Sequence, residues 1–195
     1  MKEPVKVFVV GEYSVHLYEE TGFNLNDPAA FGYGYIYIND TGYRPASLIG
    51  IQVFTNGIVI ASCIVGSDGG ATGIHNHSAI ISQNELMLCC SDTVFKLIIP
   101  DLSLQWKTIA DSVTCFGIYP HKDGYIVHGE LEITYLNTYG QIVWQVGGRD
   151  IWTTIEGAAD DFKIFDKYII ARDWGHNKYK IDFNGNITDY NENNI

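Results

Sequence analysis

The chain has 195 residues, of which 46% are hydrophobic and 18% charged, enough apolar material for a packed core and too much for a disordered chain. Twelve Lys and Arg against 23 Asp and Glu give a formal net charge of −11, which repels nucleic-acid phosphates and anionic headgroups and favours encounter with a basic protein. No run reaches the roughly 18 apolar residues of a membrane-crossing helix. The segment from Met1 to Val10 therefore reads as a first strand, not a leader, in a cytoplasmic chain whose four cysteines are reduced.

Alternation and short apolar runs dominate, and helical periodicity is scarce. Val5 to Gly11 and Tyr13 to Tyr18 read as a first strand pair. Glu20 to Phe31, with Gly22, Asn24, Asn26, Asp27 and Pro28, reads as a loop. Tyr33 to Asn39 alternates Tyr33, Tyr35 and Tyr37 against Gly34, Ile36 and Ile38, which predicts a strand with a tyrosine face. That face is either a cross-strand ladder in the core or a platform for stacking a sugar. Gly50 to Phe54 and Ile58 to Val65 flank Asn56-Gly57, a hairpin signal because both residues accept the positive φ of a type I′ turn. Ser67 to Gly73 is the most flexible stretch, read as a loop within one domain spanning residues 1–195. Cys89 and Cys90 are adjacent on a strand and point to opposite faces, so they read as buried free thiols and not as ligands of one metal.

From residue 79 the chain repeats itself. A shift of 38 lays Ile98–Trp106 over Leu136–Trp144, Leu86-Met87-Leu88 over Gly124-Tyr125-Ile126, and Ala79-Ile80-Ile81 over Gly117-Ile118-Tyr119. A third, degenerate copy sets Lys178–Ile187 against Ile133–Ile142, its Trp replaced by Asp189 or Tyr190. Each unit predicts four short antiparallel strands, with Trp near the end of the fourth as an apolar plug between units. One such meander cannot bury both faces, so the units must stack. The predicted fold is all-β: four-stranded antiparallel meanders stacked as a small or partial β-propeller of four to five blades. The first 70 residues stand outside the repeat and are expected to cap the first blade.

The stretch from Asp123-Gly124-Tyr125-Ile126 to Gly140-Gln141-Ile142-Val143-Trp144 resembles a blade of the quinoprotein-like (PQQ-type) β-propellers. There a strand follows Asp-Gly, and a turn ends in Gly four residues before Trp. The resemblance spans at most residues 79–188 and departs at Asn137, where Asp is usual. It implies a blade-like fold and nothing about a cofactor; none is expected, since this chain is too short to enclose a quinone and its Ca²⁺.

Catalytic signatures are missing: no nucleophile elbow, no HExxH, no P-loop, no dinucleotide fingerprint. His75 and His77 would share one face of an extended segment, a pair suited to a metal if His121, His128, Glu130 or Cys115 completed it, and otherwise a loop-stabilising pair. His128 beside Glu130 and Glu132 suits acid–base work or a solvated surface strand. The acidic run Glu156 to Asp161 lacks the spacing of a Ca²⁺ loop. The sequence thus predicts a non-enzymatic protein-binding module with an acidic surface. Asp68, Glu156, Asp160 and Asp161 are the expected contacts to a basic partner, and an immunity-type protein that neutralises a basic toxin is one concrete form. The alternatives are a small-molecule or carbohydrate binder using the tyrosine face, and an enzyme built on a metal held by His75, His77 and His128.

Overall fold

A computed structural model describes residues 2–24, 32–38, 44–154 and 161–189, and among these there is no helix. Seventeen strands form four sheets. The first sheet has five strands, β1 (Lys6–Val10), β2 (Tyr13–Glu19), β3 (Tyr35–Ile38), β4 (Ser47–Thr55) and β5 (Ile58–Ser67), in the order β1-β2-β4-β5-β3. The other three are four-stranded meanders in chain order. The second holds β6 (Ala79–Ser82), β7 (Glu85–Cys90), β8 (Thr93–Ile98) and β9 (Leu104–Ile109). The third holds β10 (Cys115–His121), β11 (Gly124–Gly129), β12 (Glu132–Asn137) and β13 (Ile142–Gly147). The fourth holds β14 (Phe162–Ile164), β15 (Tyr168–Arg172), β16 (Lys178–Asp182) and β17 (Ile187–Asp189).

The four-stranded repeat read from the sequence is present in the fold, but its offset is corrected. β7 (Glu85–Cys90) superposes on β11 (Gly124–Gly129) at 39 and not 38, so Leu86 matches Tyr125, both facing the preceding sheet, and Ala79 matches Ile118. Only the strands of Trp106 and Trp144 match at 38, because the turn before Trp106 is one residue longer. The turns of the third and fourth meanders close alike: Asn137 N–H donates to Gln141 O and Asp182 N–H to Asn186 O, both at 3.0 Å. In each, the leading side chain accepts from two turn amides, Asn137 from Tyr139 and Gln141, Asp182 from Asn184 and Asn186. Asn137 therefore does in the third meander what Asp182 does in the fourth, because only an acceptor oxygen is required. The Asn56-Gly57 hairpin is present, with both residues at positive φ. One pairing departs from the meander expectation: β3 lies parallel to β5 at the far edge of the first sheet. Its tyrosines sit on a short edge strand entered through a long connection, which local pattern does not announce.

The sheets pack in series, each on the next. Val15, Leu17, Ile49, Ile51 and Val53 of the first meet Leu86, Leu88, Cys90, Phe95 and Leu97 of the second. Met87, Cys89 and Val94 then meet Cys115, Ile118, Tyr125 and Val127 of the third. Ile126 and Ile133 meet Ile169, Ala171, Tyr179 and Ile181 of the fourth, around Trp152. No core cluster of described residues joins the fourth sheet to the first, so the sheets form an open arc. Cys89 and Cys90 face different seams, as their adjacency on a strand requires. Burial pushes the Cys90 thiol up to about 12, so it stays protonated and packs as a small apolar group.

Each seam is also tied at its outer edge. Trp106 Nε1 donates to Thr138 O at 3.1 Å, and Trp144 Nε1 to Phe183 O at 3.2 Å. Each indole thus lies on the outer turn of the following sheet. A Cβ at Gly140 would meet the Trp106 ring at 2.4 Å, and one at Gly185 the Trp144 ring at 2.9 Å. Both glycines also hold φ near +80°, at +76° and +83°, so ring and backbone together require glycine there. At the first seam Tyr37 stands in for the indole, its hydroxyl donating to Leu102 O at 3.1 Å. The series stops at the fourth sheet, whose outer strand Ile187–Asp189 carries no aromatic residue. Trp106 and Trp144 are only half-buried, so they are latches and not the expected plugs. The fully buried plug is Trp152, in the crossover between the third and fourth sheets.

Candidate functional site at the crossover end

Strand direction alternates, so one end of the arc gathers the crossovers between sheets together with the turns between second and third strands. Among the described residues, the connections at this end carry Glu20, Asp68, Asp92, Asp111, Glu130, Asp150, Asp161 and Asp173 against Arg44 and Arg149. The connections at the opposite end carry Glu12, Asp101, Asp123 and Asp166 against Lys122 and Lys167.

Much of this acidity is built into the frame. Asp111 is buried and accepts four backbone N–H groups, from Val113, Thr114, Leu131 and Glu132, at 2.6–2.9 Å. Its carboxylate thereby fixes the crossover between the second and third sheets to a turn of the third. Glu132 accepts from Ser112 N–H and Oγ, both at 2.9 Å. Asp92 accepts from the Ser67 and Thr93 hydroxyls. Asp173 accepts from Asn177 and, at 2.7 Å, from Tyr179 Oη. Burial works to raise the Asp173 carboxyl, and the bonds from Tyr179 and Asn177 outweigh it, so the group stays below its ordinary range and ionised. Asp173 therefore keeps its charge and contributes to the field at this end, although its oxygens are already engaged.

The residues expected to contact a partner are distributed unevenly over this end. Asp68 opens the loop after β5 and is half-buried. Asp161 is buried, accepts the Thr154 hydroxyl and sends its own carbonyl to Arg172 N–H; its place inside the fold takes it out of the contact set. Glu156 and Asp160 lie outside the described residues. A hollow of about 440 Å³ lies at the crossover end of the first sheet, lined by Glu19, Glu20, Arg44, Ser47 and Thr72. Glu19 accepts Ile74 N–H at 3.0 Å, and Arg44 donates to Thr21 O at 3.3 Å. Sequence reading passed over Glu19 and Glu20; the only signal was two adjacent carboxylates ahead of a Thr-Gly turn.

The tyrosine face forms only in part. Tyr35 and Tyr37 stack at 5.8 Å with ring planes 9° apart, and Tyr37 packs into the first seam. Tyr33 precedes the strand, packs with Phe23, Leu48 and Ile64 on the other side of the sheet, and donates to Glu20 Oε1 at 2.8 Å.

His75 and His77 are exposed neighbours, with His77 N–H donating to His75 Nδ1 at 3.3 Å. The His77 ring stacks on Tyr119 at 4.9 Å. The Lys6 ammonium sits on the carbonyls of His75, Asn76 and Ala79, at 2.9–3.2 Å, a fixed cation that opposes a second one. Among the described residues no group of three His, Cys, Asp or Glu is placed to hold a metal. His128 lies flat on Phe162 at 4.2 Å, edge-on to Phe116, and its Nε2 donates to Trp152 O at 2.7 Å. Burial pushes it down to about 4, against the opposing pull of that carbonyl, so the ring is neutral near pH 7. Glu132 is held by Ser112, so His128, Glu130 and Glu132 do not form an acid–base group.

No family model and no curated protein matches the chain. Solved structures do. It is similar to the AfRom2 CNH domain, with a TM-score of 0.51 and 10% identity over 94% of this chain and 53% of that one. It is also similar to BamB from Moraxella catarrhalis, with a TM-score of 0.49 and 13% identity over 72% of this chain and 44% of that one. A third is the WD40 β-propeller domain of Doa1, with a TM-score of 0.39 and 10% identity over 72% and 45%. The chain spans about half the length of these three. The fold is all-β, four-stranded antiparallel meanders stacked as a partial propeller.

Proposed function

We propose that the chain is a non-enzymatic binding scaffold that engages a basic protein through its crossover end. The observation that carries this reading is the concentration of carboxylates in the crossover connections. The buried ones hold the frame, and Glu19, Glu20, Glu130, Asp68 and Asp150 border the surface where a partner's Lys or Arg would arrive. Charge of this kind acts mainly on the association rate, and salt screens it over about 8–10 Å. An immunity-type protein holding a basic nuclease is one concrete form. The blades are of the quinoprotein-like kind, supported by the two indoles docked on Gly-containing turns, and the scaffold works without a cofactor. The small-molecule and carbohydrate reading loses its main support with the split of the tyrosines.

The test is capture of a partner on immobilised chain at low salt, followed by surface plasmon resonance against that partner. The association rate is expected to fall at least about tenfold between roughly 50 and 500 mM salt. An association rate indifferent to salt would reduce the acidity to a framework and solubility device.

A further inference from the structure

The connection between β2 and β4 covers only part of the outer face of the first sheet. Phe23 and Tyr33 pack there on Leu48 and Ile64. The Tyr33 ring reaches the sheet at Gly50, where a Cβ would meet its Oη at 2.0 Å, so glycine is what admits the phenol. Tyr33 Oη donates to Glu20 Oε1 at 2.8 Å, and the Lys2 ammonium lies 3.4 Å from Glu20 Oε2. Burial, together with the Glu20 carboxylate, pushes the Tyr33 hydroxyl well above its ordinary range, so it stays protonated. Beside this cover lies a hollow of about 340 Å³, lined by Lys2, Glu20, Tyr33, Gln52, Phe54 and Val59. Ile49, Ile51 and Val53 fill the first seam, so period two along β4 sets Gly50, Gln52 and Phe54 on the hollow's side. Gln52 therefore sits between the Tyr33 ring over Gly50 and the Phe54 ring. Phe54 is held by His16, with ring centroids 4.4 Å apart, and His16 Nε2 lies 3.2 Å from Ser14 Oγ. Both aromatic walls are thus fixed by the fold itself. No described residue hydrogen-bonds the Gln52 side-chain amide, which leaves its donors and its acceptor unused on the floor.

We propose that this hollow is a binding site for a neutral sugar. The apolar C–H face of a pyranose ring lies on the Phe54 and Tyr33 rings, and its hydroxyls meet the polar groups around them. Gln52 both donates and accepts, Glu20 accepts, and Lys2 donates. Small-molecule sites combine aromatic walls with a few placed polar groups in this way. The volume is near the lower end of their range of roughly 300–1,000 Å³, which suits a ligand of one or two rings and not a long chain. Charge narrows the class further. Lys2 and Glu20 offset each other, and a chain of net charge −11 repels anions, so phosphorylated and acidic sugars are disfavoured. The displacement of Tyr33 that divides the tyrosine face thus builds a different site, on the other side of the same sheet.

A proton–nitrogen correlation NMR titration of the whole chain tests this, with glucose, galactose, mannose and N-acetylglucosamine as probes. Each is taken to about 10 mM, above the roughly millimolar dissociation constants of ligands this small. The expected result is saturable binding of at least one sugar, with the largest shifts at the Gln52 side-chain amide and the backbone amides of Gly50 and Phe54. Its affinity should be the same at roughly 50 and 500 mM salt, because the ligand is neutral. That salt indifference separates this site from the charge-steered partner proposed above. Gln52→Ala, which removes an amide without a partner in the fold, keeps the wild-type melting temperature and weakens binding about tenfold or more. Phe54→Leu weakens it about tenfold by removing the ring. Gln105→Ala, exposed on β9 of the second sheet, leaves it unchanged. No saturable shift with any of these sugars, undiminished affinity in Gln52→Ala, or tighter binding of adenosine than of every sugar would each overturn the proposal.

Discussion

The first and last seams of the arc do the same mechanical task with different chemistry. Between the first and second sheets the contact is aliphatic: Leu17, Ile49, Ile51 and Val53 against Leu86, Leu88 and Leu97, with Phe95 as the one large ring buried in it. Between the third and fourth sheets it is aromatic and partly polar: Trp152 is edge-on to Tyr179 at 5.0 Å, and His128 lies on Phe162. Trp152 Nε1 is buried with no hydrogen-bond partner among the described residues. An aliphatic seam draws its strength from area alone and is indifferent to pH. The aromatic seam concentrates its strength in a few large side chains and includes a base whose protonation opposes burial. Loss of one side chain should therefore weaken the last seam more than the first.

The largest expected effect is at Trp152. Truncation to Ala should cost about 3–5 kcal/mol, the range for a fully buried ring, measured by chemical denaturation. Next comes acid. The His128 pKa is depressed from the ordinary 6.5 to about 4, so the unfolded chain takes up its proton first. The contribution of the neutral ring is fully present above pH 6.5 and is lost as pH falls toward 4, by about 2–3 kcal/mol. His128→Gln should flatten the stability profile in that window, and an unchanged profile would show that other groups set it. Smaller again is the latch. Trp106→Ala should cost about 2 kcal/mol, since the ring is half-buried, and Trp106→Phe about 1 kcal/mol for the lost N–H bond to Thr138. Equal losses for the two variants would mean that the indole N–H, not the ring, holds the turn.

The sequence showed these seams to different depths. The spacing of Trp106 and Trp144 disclosed the repeat because each holds the same place in its meander and docks on the Gly-containing turn of the next. Asn56-Gly57 disclosed its hairpin because positive φ restricts residue choice locally. Trp152 stayed hidden because it sits in a crossover without strand alternation, and burial there depends on two sheets meeting. The tyrosine face was misjudged at Tyr33 because period two holds only inside a strand, and Tyr33 lies two residues before β3, with Gly34 between. The acidic count was legible at once. Its division between framework and surface was not, since Asp111 and Asp161 differ from Asp150 only in what the fold brings to their oxygens.

The serial arc is tested most directly by native-state hydrogen exchange on Trp152→Ala. In a chain of sheets that contact only their neighbours, a weakened last seam opens locally. The amides of Ile169, Ile170 and Ala171 should lose protection, while those of Ile51, Leu86 and Leu88 retain the wild-type rate. Equal loss of protection in all four sheets would contradict the open arc and indicate one closed, cooperative ring.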